Sequence, residues 1–208
     1  MCLIFISGVA AGCLIRQWTE MLSGAGNGLK LAVASETITA VIFVLVYLKY
    51  GLGILFLKWV VFLSVMILTG ILDFVTGEVY LITIIPAMLA AIFFMVADSC
   101  LNAVPPYLYG AGGIAALLII SVIIVFTNGM GWGDAEVFFI FGLFLGIEKT
   151  ILLIFLSFIL GGAAGIILLL LNPAARKMKM PFVPFIASAA LINVLFGNEI
   201  IQWYINLV

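Results

Sequence analysis

Asp73 closes one long apolar run of this chain, and Asp134 opens another at the end of Gly129-Met130-Gly131-Trp132-Gly133-Asp134. Two carboxylates that meet can act as an acid–base pair, the ionised one taking a proton while the protonated one gives it. Their surroundings make the residue type informative. The chain is 67% hydrophobic and only 8% charged, so nearly every other position avoids ionisable groups. A carboxylate at membrane depth costs roughly 3 kcal/mol on insertion scales, which makes such residues functional candidates by default. The plain alternative is that each acid marks a helix end at the water interface.

The groups around the second acid add to the case. Gly131 and Gly133, with Gly129 before them, let a loop or helix end press against a neighbouring span and set the following carboxylate in a cleft. Irregular backbone at membrane depth is tolerated where protein or a water cavity covers it. Glu78 follows Asp73 by five positions and Glu136 follows Asp134 by two. Both would give the mouth of such a cleft a negative field, drawing basic ligands. Equally, they are acids suited to helix N-termini. Two residues along a helix turns Glu136 to a different face from Asp134.

The elements that must carry these groups are membrane helices. With 208 residues and a mean hydropathy of +1.45, the chain has no room for a sizeable extramembrane domain. It reads as one all-α polytopic membrane unit, residues 1–208, with a first span and short link over 1–30 and a core over 31–208. Eight spans fit at about 2–19, 31–50, 53–72, 79–98, 108–127, 134–148, 150–171 and 182–205. The sixth is short for a full crossing. The first residues lack the basic lead and cleavage site of a signal peptide and are expected to be a retained span; lipidation of Cys2 is not expected.

Spans four and five separate the two acids, so an even number of crossings returns them to one face. Arg16, Lys30, Arg176, Lys177 and Lys179 fall on that side against Lys49, Lys58 and Lys149 on the other. That excess makes the acids' face cytoplasmic, with Arg176 to Lys179 deciding the orientation. Those basic residues suit contact with anionic lipid. Trp18, Trp59, Trp203 and Tyr204 read as interface anchors.

Several classes are disfavoured. A net charge of −1 without a basic stripe argues against nucleic acid. Cys2, Cys13 and Cys100 are scattered and histidine is absent, so no metal site, disulfide framework or cofactor is expected. A proton-coupled transporter would place its acids nearer the midplane and repeat its spans.

In order and spacing these segments resemble the type IV prepilin peptidases, membrane aspartyl proteases of the GxGD type. Gly131-Trp132-Gly133-Asp134 supplies the signature, and Ile71-Leu72-Asp73-Phe74-Val75-Thr76-Gly77 resembles the segment of the first aspartate. Ser35-Glu36-Thr37-Ile38-Thr39-Ala40 is similar to the family's Glu-Leu-Leu-Thr opening of the second span. Met180-Pro181-Phe182-Val183-Pro184-Phe185 resembles its entry to the last. The likeness runs over about residues 31–197. It implies that Asp73 and Asp134 are catalytic and that the substrates are prepilins or pseudopilins, cut between a basic leader and an apolar helix. It also implies a prokaryotic inner membrane, with the site facing the cytoplasm. Presenilin-like proteases share GxGD, but their Pro-Ala-Leu motif is not found here.

Three departures stand out. The family's cytoplasmic insertion with paired C-x-x-C motifs is replaced by Gln17 to Lys30, which leaves the family's N-methyltransferase activity doubtful. Gly12-Cys13-Leu14-Ile15-Arg16 stands where Gly-Ser-Phe-Leu-Asn is usual. Glu136 replaces a customary lysine, and Glu78-Val79-Tyr80-Leu81 replaces an Ile-Pro turn.

Overall fold

In lipid a backbone must satisfy its own hydrogen bonds, and this apolar chain does so with helices. A computed structural model describes residues 1–23, 29–127, 129–172 and 180–207, with the side chains of 29–34 excepted. Eight helices follow in order: α1 Cys2–Ser23, α2 Leu29–Tyr50, α3 Ile54–Thr76, α4 Leu81–Asn102, α5 Pro106–Thr127, α6 Trp132–Leu145, α7 Ile147–Leu171 and α8 Val183–Ile205. Among the described residues, α1, α3, α4, α5, α7 and α8 are each long and apolar enough to cross a membrane. This is a multi-pass membrane protein.

Helix α6 is the centre of the bundle. Its 14 residues span roughly 21 Å, short of a hydrocarbon core. It is sheathed by protein instead, with Val137, Phe138, Ile140, Phe141 and Phe144 at most 1% exposed. A helix apolar on every side belongs inside a bundle. Phe62 of α3 stacks on Phe141 and Phe144 at centroid distances of 5.4 and 5.1 Å, tying α3 to α6.

Small residues bring the backbones together. A Cβ on Gly142 would lie 2.5 Å from the carbonyl oxygen of Gly112, so α5 and α6 cross at a contact that no larger residue allows. Gly8 meets Ala40 in the same way where α1 packs on α2.

Turns are placed by residues that accept a left-handed backbone. Gly77, at φ 70°, ends α3 and donates its N–H to the carbonyl of Asp73 at 2.8 Å. Gly146, at φ 77°, alone separates α6 from α7. The sequence reading put that break at Glu148-Lys149, but both residues lie in the first turn of α7. An acid there is compatible with helix because it faces the positive end of the dipole.

Three further expectations change. Helix α1 runs on to Ser23, so the polar link from Gln17 is largely helical, and 24–28 lie outside the described residues. Trp59 is 4% exposed and buried rather than an interface anchor. Lys58, counted with the loops, sits inside α3 at 3% exposure. The basic segment Arg176 to Lys179 lies outside the described residues, as does the side chain of Lys30.

Candidate active site

Asp73 belongs to the last turn of α3, a little further inside the helix than the sequence suggests, and is 6% exposed. Its Oδ2 accepts the N–H of Val183 at 3.0 Å. Val183 is the first residue of α8, so the carboxylate of one helix caps the N-terminus of another. Phe182 and Pro184 flank that amide. Proline at the second helical position has no N–H to satisfy, and its fixed φ suits the first turn.

A packed aromatic group fixes where this amide points. The Phe182 ring contacts Phe138 of α6, Phe158 of α7 and Phe185 of α8, at centroid distances of 6.4, 5.4 and 6.2 Å. It fills the space left by Gly161, where a Cβ would come within 2.6 Å of the ring. Gly161 thus makes room for the ring that sets the start of α8 against Asp73.

Asp134 sits in the first turn of α6 and is 8% exposed. Its Oδ2 accepts the N–H of Gly131 at 3.0 Å, and its own N–H returns to the carbonyl of Gly131 at 3.1 Å. This is the reciprocal bonding of a capped helix start. The close approach concerns Gly133: a Cβ there would lie 3.0 Å from the side-chain Cβ and Cγ2 of Val79 in the α3–α4 turn. Gly131 is exposed and its side-chain position faces no tight neighbour.

Both acids therefore lie at one end of the bundle, where α3 ends and α6 and α8 begin. Among the described residues no hydrogen bond joins the two carboxyls directly. Each is held by a backbone amide at a helix N-terminus, where the dipole favours negative charge. No lysine or arginine forms an ion pair with either among the described residues. Two carboxyls placed at one end of the bundle can divide acid and base roles, one protonated and one ionised.

Glu78 and Glu136 are exposed at the same end. Glu78 lies in the turn that packs on Gly133 through its neighbour Val79. Glu136 faces outward while Asp134, two residues before it, faces inward. Neither glutamate belongs to the buried pair.

Two features escaped the sequence reading. The amide of Val183 lies in a segment identified only as a helix entry, and nothing local in the sequence pairs it with an acid 110 positions away. The second is a buried ionic cluster at the opposite end of the bundle. Lys58 Nζ meets Asp98 Oδ2 at 2.5 Å. The Tyr109 hydroxyl donates to the same oxygen at 2.8 Å, and Asn102 Nδ2 donates to Oδ1 at 3.3 Å. A lysine only four positions into an apolar helix was the available signal.

A helical, multi-pass bundle with two buried acids at one end, each accepting an amide from the start of a helix, defines the class as a membrane protein with a paired-acid site. The chain belongs to the type IV leader peptidase family, whose model matches residues 60–166 and so takes in both aspartates. It is 29% identical over 178 residues to a prepilin leader peptidase/N-methyltransferase of Bacillus subtilis, covering 84% of this chain and 69% of that one. It is 38% identical over 77 residues to the protein of the same name from Legionella pneumophila, covering 37% and 27%. The protein of that name from Aeromonas salmonicida is 34% identical over 79 residues, 38% of this chain and 27% of that one. No solved structure matches the chain significantly.

Proposed function

We propose that this protein is a membrane aspartic endopeptidase that removes the basic leader from type IV prepilins or pseudopilins, using Asp73 and Asp134. The observation that carries the reading is that these two buried acids lie at one end of the bundle, with no ion pair to either among the described residues, in a chain of the leader peptidase family. Water attacks the scissile carbonyl carbon as the ionised carboxylate takes its proton. The protonated carboxyl gives its proton to the carbonyl oxygen. When the tetrahedral intermediate collapses, the C–N bond breaks and the amine leaves with the proton taken from water. Amide donors at two helix starts hold both carboxyls in position through these steps, which is how orientation contributes to rate.

Residues 1–208 act as one peptidase domain, with α1 and α2 packed onto α3 as part of it. The acids face the cytoplasm of a prokaryotic cell, in keeping with the basic excess on that side. Glu78 and Glu136 give the entrance a negative field suited to a Lys/Arg-rich leader. Cleavage proceeds without methylation of the new N-terminus. Helix α1 continues to Ser23 and α2 starts at Leu29, so little chain lies between them to enclose a nucleotide-sized methyl donor, whose pockets measure roughly 300–1,000 Å3.

The test is to incubate the purified protein in detergent with a panel of prepilins and a labelled methyl donor, then weigh each product. Cleavage between leader and apolar helix, with no added methyl mass, is expected. Intact prepilins throughout would overturn the peptidase reading; a methylated product would overturn the restriction to cleavage.

A further inference from the structure

An open, apolar hollow of about 240 Å3 runs along the lipid-facing side of the aspartate end. Ser35 and Ile38 of α2, Ile67, Gly70 and Phe74 of α3, and Pro184 of α8 are among the residues that line it. It is smaller than the roughly 300–1,000 Å3 that enclose a small-molecule ligand. Ile38 is 52% and Phe74 68% exposed, so the hollow opens sideways to lipid rather than into the bundle.

Its position relative to the acids is the informative part. Gly70 lies one helical turn before Asp73, and Phe74 directly follows it. Pro184 adjoins Val183, the residue whose amide bonds Asp73. The hollow thus lies beside the last turn of α3, which carries Asp73. Gly70 forms part of its floor; a Cβ there would make ordinary contact with Ala187 at 3.5 Å and Pro184 at 3.7 Å. A second apolar hollow, lined by Ile119, Ile123, Ile151 and Phe155 among others, lies between α5 and α7. Neither aspartate, nor any residue next to one, lines it.

We propose that the hollow between α2, α3 and α8 is the docking groove for the apolar transmembrane helix of the uncut substrate; this rests on the peptidase reading above. A helix laid along α3 presents side chains that enter such a groove as knobs, the packing mode of helices in lipid. Its cytoplasmic end then reaches Asp73, and the basic leader beyond the cleavage point continues past exposed Glu78 and Glu136. One chain thereby meets an apolar groove, two acids and a negative rim in the order that a basic leader and apolar helix require. The groove fixes register: it stops the helix in the membrane and leaves the peptide bond next to it at the carboxyls.

A photo-reactive amino acid placed at Ile38 or Ile67, and for comparison at Ile119 or Phe155, tests this in phospholipid vesicles containing a whole prepilin. An Asp134→Asn background keeps the substrate uncut. Cross-links to the prepilin's apolar helix from Ile38 and Ile67, well above those from Ile119 and Phe155, are expected. Equal yields from both faces, or cross-links from Ile38 and Ile67 to lipid alone, would overturn the groove. In the otherwise unaltered enzyme, Ile67→Trp should raise KM for membrane-inserted prepilin at least about fivefold, whereas Ile119→Trp should not. Indistinguishable kinetics for the two variants would also overturn it. If the unaltered enzyme cuts no prepilin, the peptidase reading fails; if it cuts normally but cross-links evenly, the groove alone fails.

Discussion

Buried acids occupy both ends of this bundle, but their company differs. At one end Asp98 holds Lys58, Tyr109 and Asn102 around its two oxygens. At the other, Asp73 and Asp134 accept backbone amides, from Val183 and Gly131, and no side-chain donor among the described residues. The first arrangement neutralises a carboxylate and fixes α3, α4 and α5 together. The second holds two acids at one end with backbone donors and, among the described residues, no ion pair. Burial alone therefore does not separate the two kinds of acid; the partners each one keeps do.

The largest expected effect breaks the end that holds the two acids. Asp73→Asn should lower kcat/KM for prepilin by about 1,000-fold or more, because the amide can neither accept nor donate the catalytic proton. Thermal unfolding in detergent should change little, since Asn still offers an oxygen to the Val183 amide. A large loss of folded protein would place Asp73 with Asp98 as a structural acid.

Next comes the compensated end. Lys58→Met leaves Asp98 charged in an apolar setting and should destabilise the protein by about 3–5 kcal/mol. Adding Asp98→Asn should recover most of that, because both charges are then gone. Cleavage per folded molecule should remain close to that of the unaltered enzyme in the double variant. Denaturation midpoints set beside activity normalised to folded protein check both statements.

A smaller effect sharpens the geometry. Gly133→Leu should push the start of α6 away from Val79 and shift Asp134, lowering cleavage roughly 10–100-fold while the bundle stays folded. Smallest are Glu78→Gln and Glu136→Gln. Each should raise KM for a basic leader about two- to threefold, a difference that fades as salt is added. A salt-insensitive KM would remove the glutamates from leader recognition.

Much of this was legible in the sequence because lipid restricts what a chain can do. Uninterrupted apolar runs in lipid can only be helices, so all eight helices were found, six of them long and apolar enough to cross a membrane among the described residues, with ends misplaced by a few residues where no cap was visible. Asp73, for example, was set at the close of its span, whereas the helix continues to Thr76. Asp134 stood out because an acid after alternating glycines has few structural uses. What the sequence could not show depends on distant partners. The Val183 amide and the Phe182 ring in the hollow of Gly161 become visible only when α3, α7 and α8 are side by side. Trp59 looked like an anchor because tryptophan prefers interfaces. It is buried instead, with the ammonium groups of Lys58 and Lys149 at 5.1 and 5.3 Å from its ring centroid.

The central claim is that Asp73 and Asp134, not the equally buried Asp98, perform the cleavage. Cleavage of one prepilin by Asp134→Asn, followed by product mass beside the unaltered enzyme in the same detergent, tests it most directly. We expect the variant to be folded and to leave the prepilin whole over times in which the unaltered enzyme converts all of it. Processing by Asp134→Asn at a rate near that of the unaltered enzyme would contradict the claim.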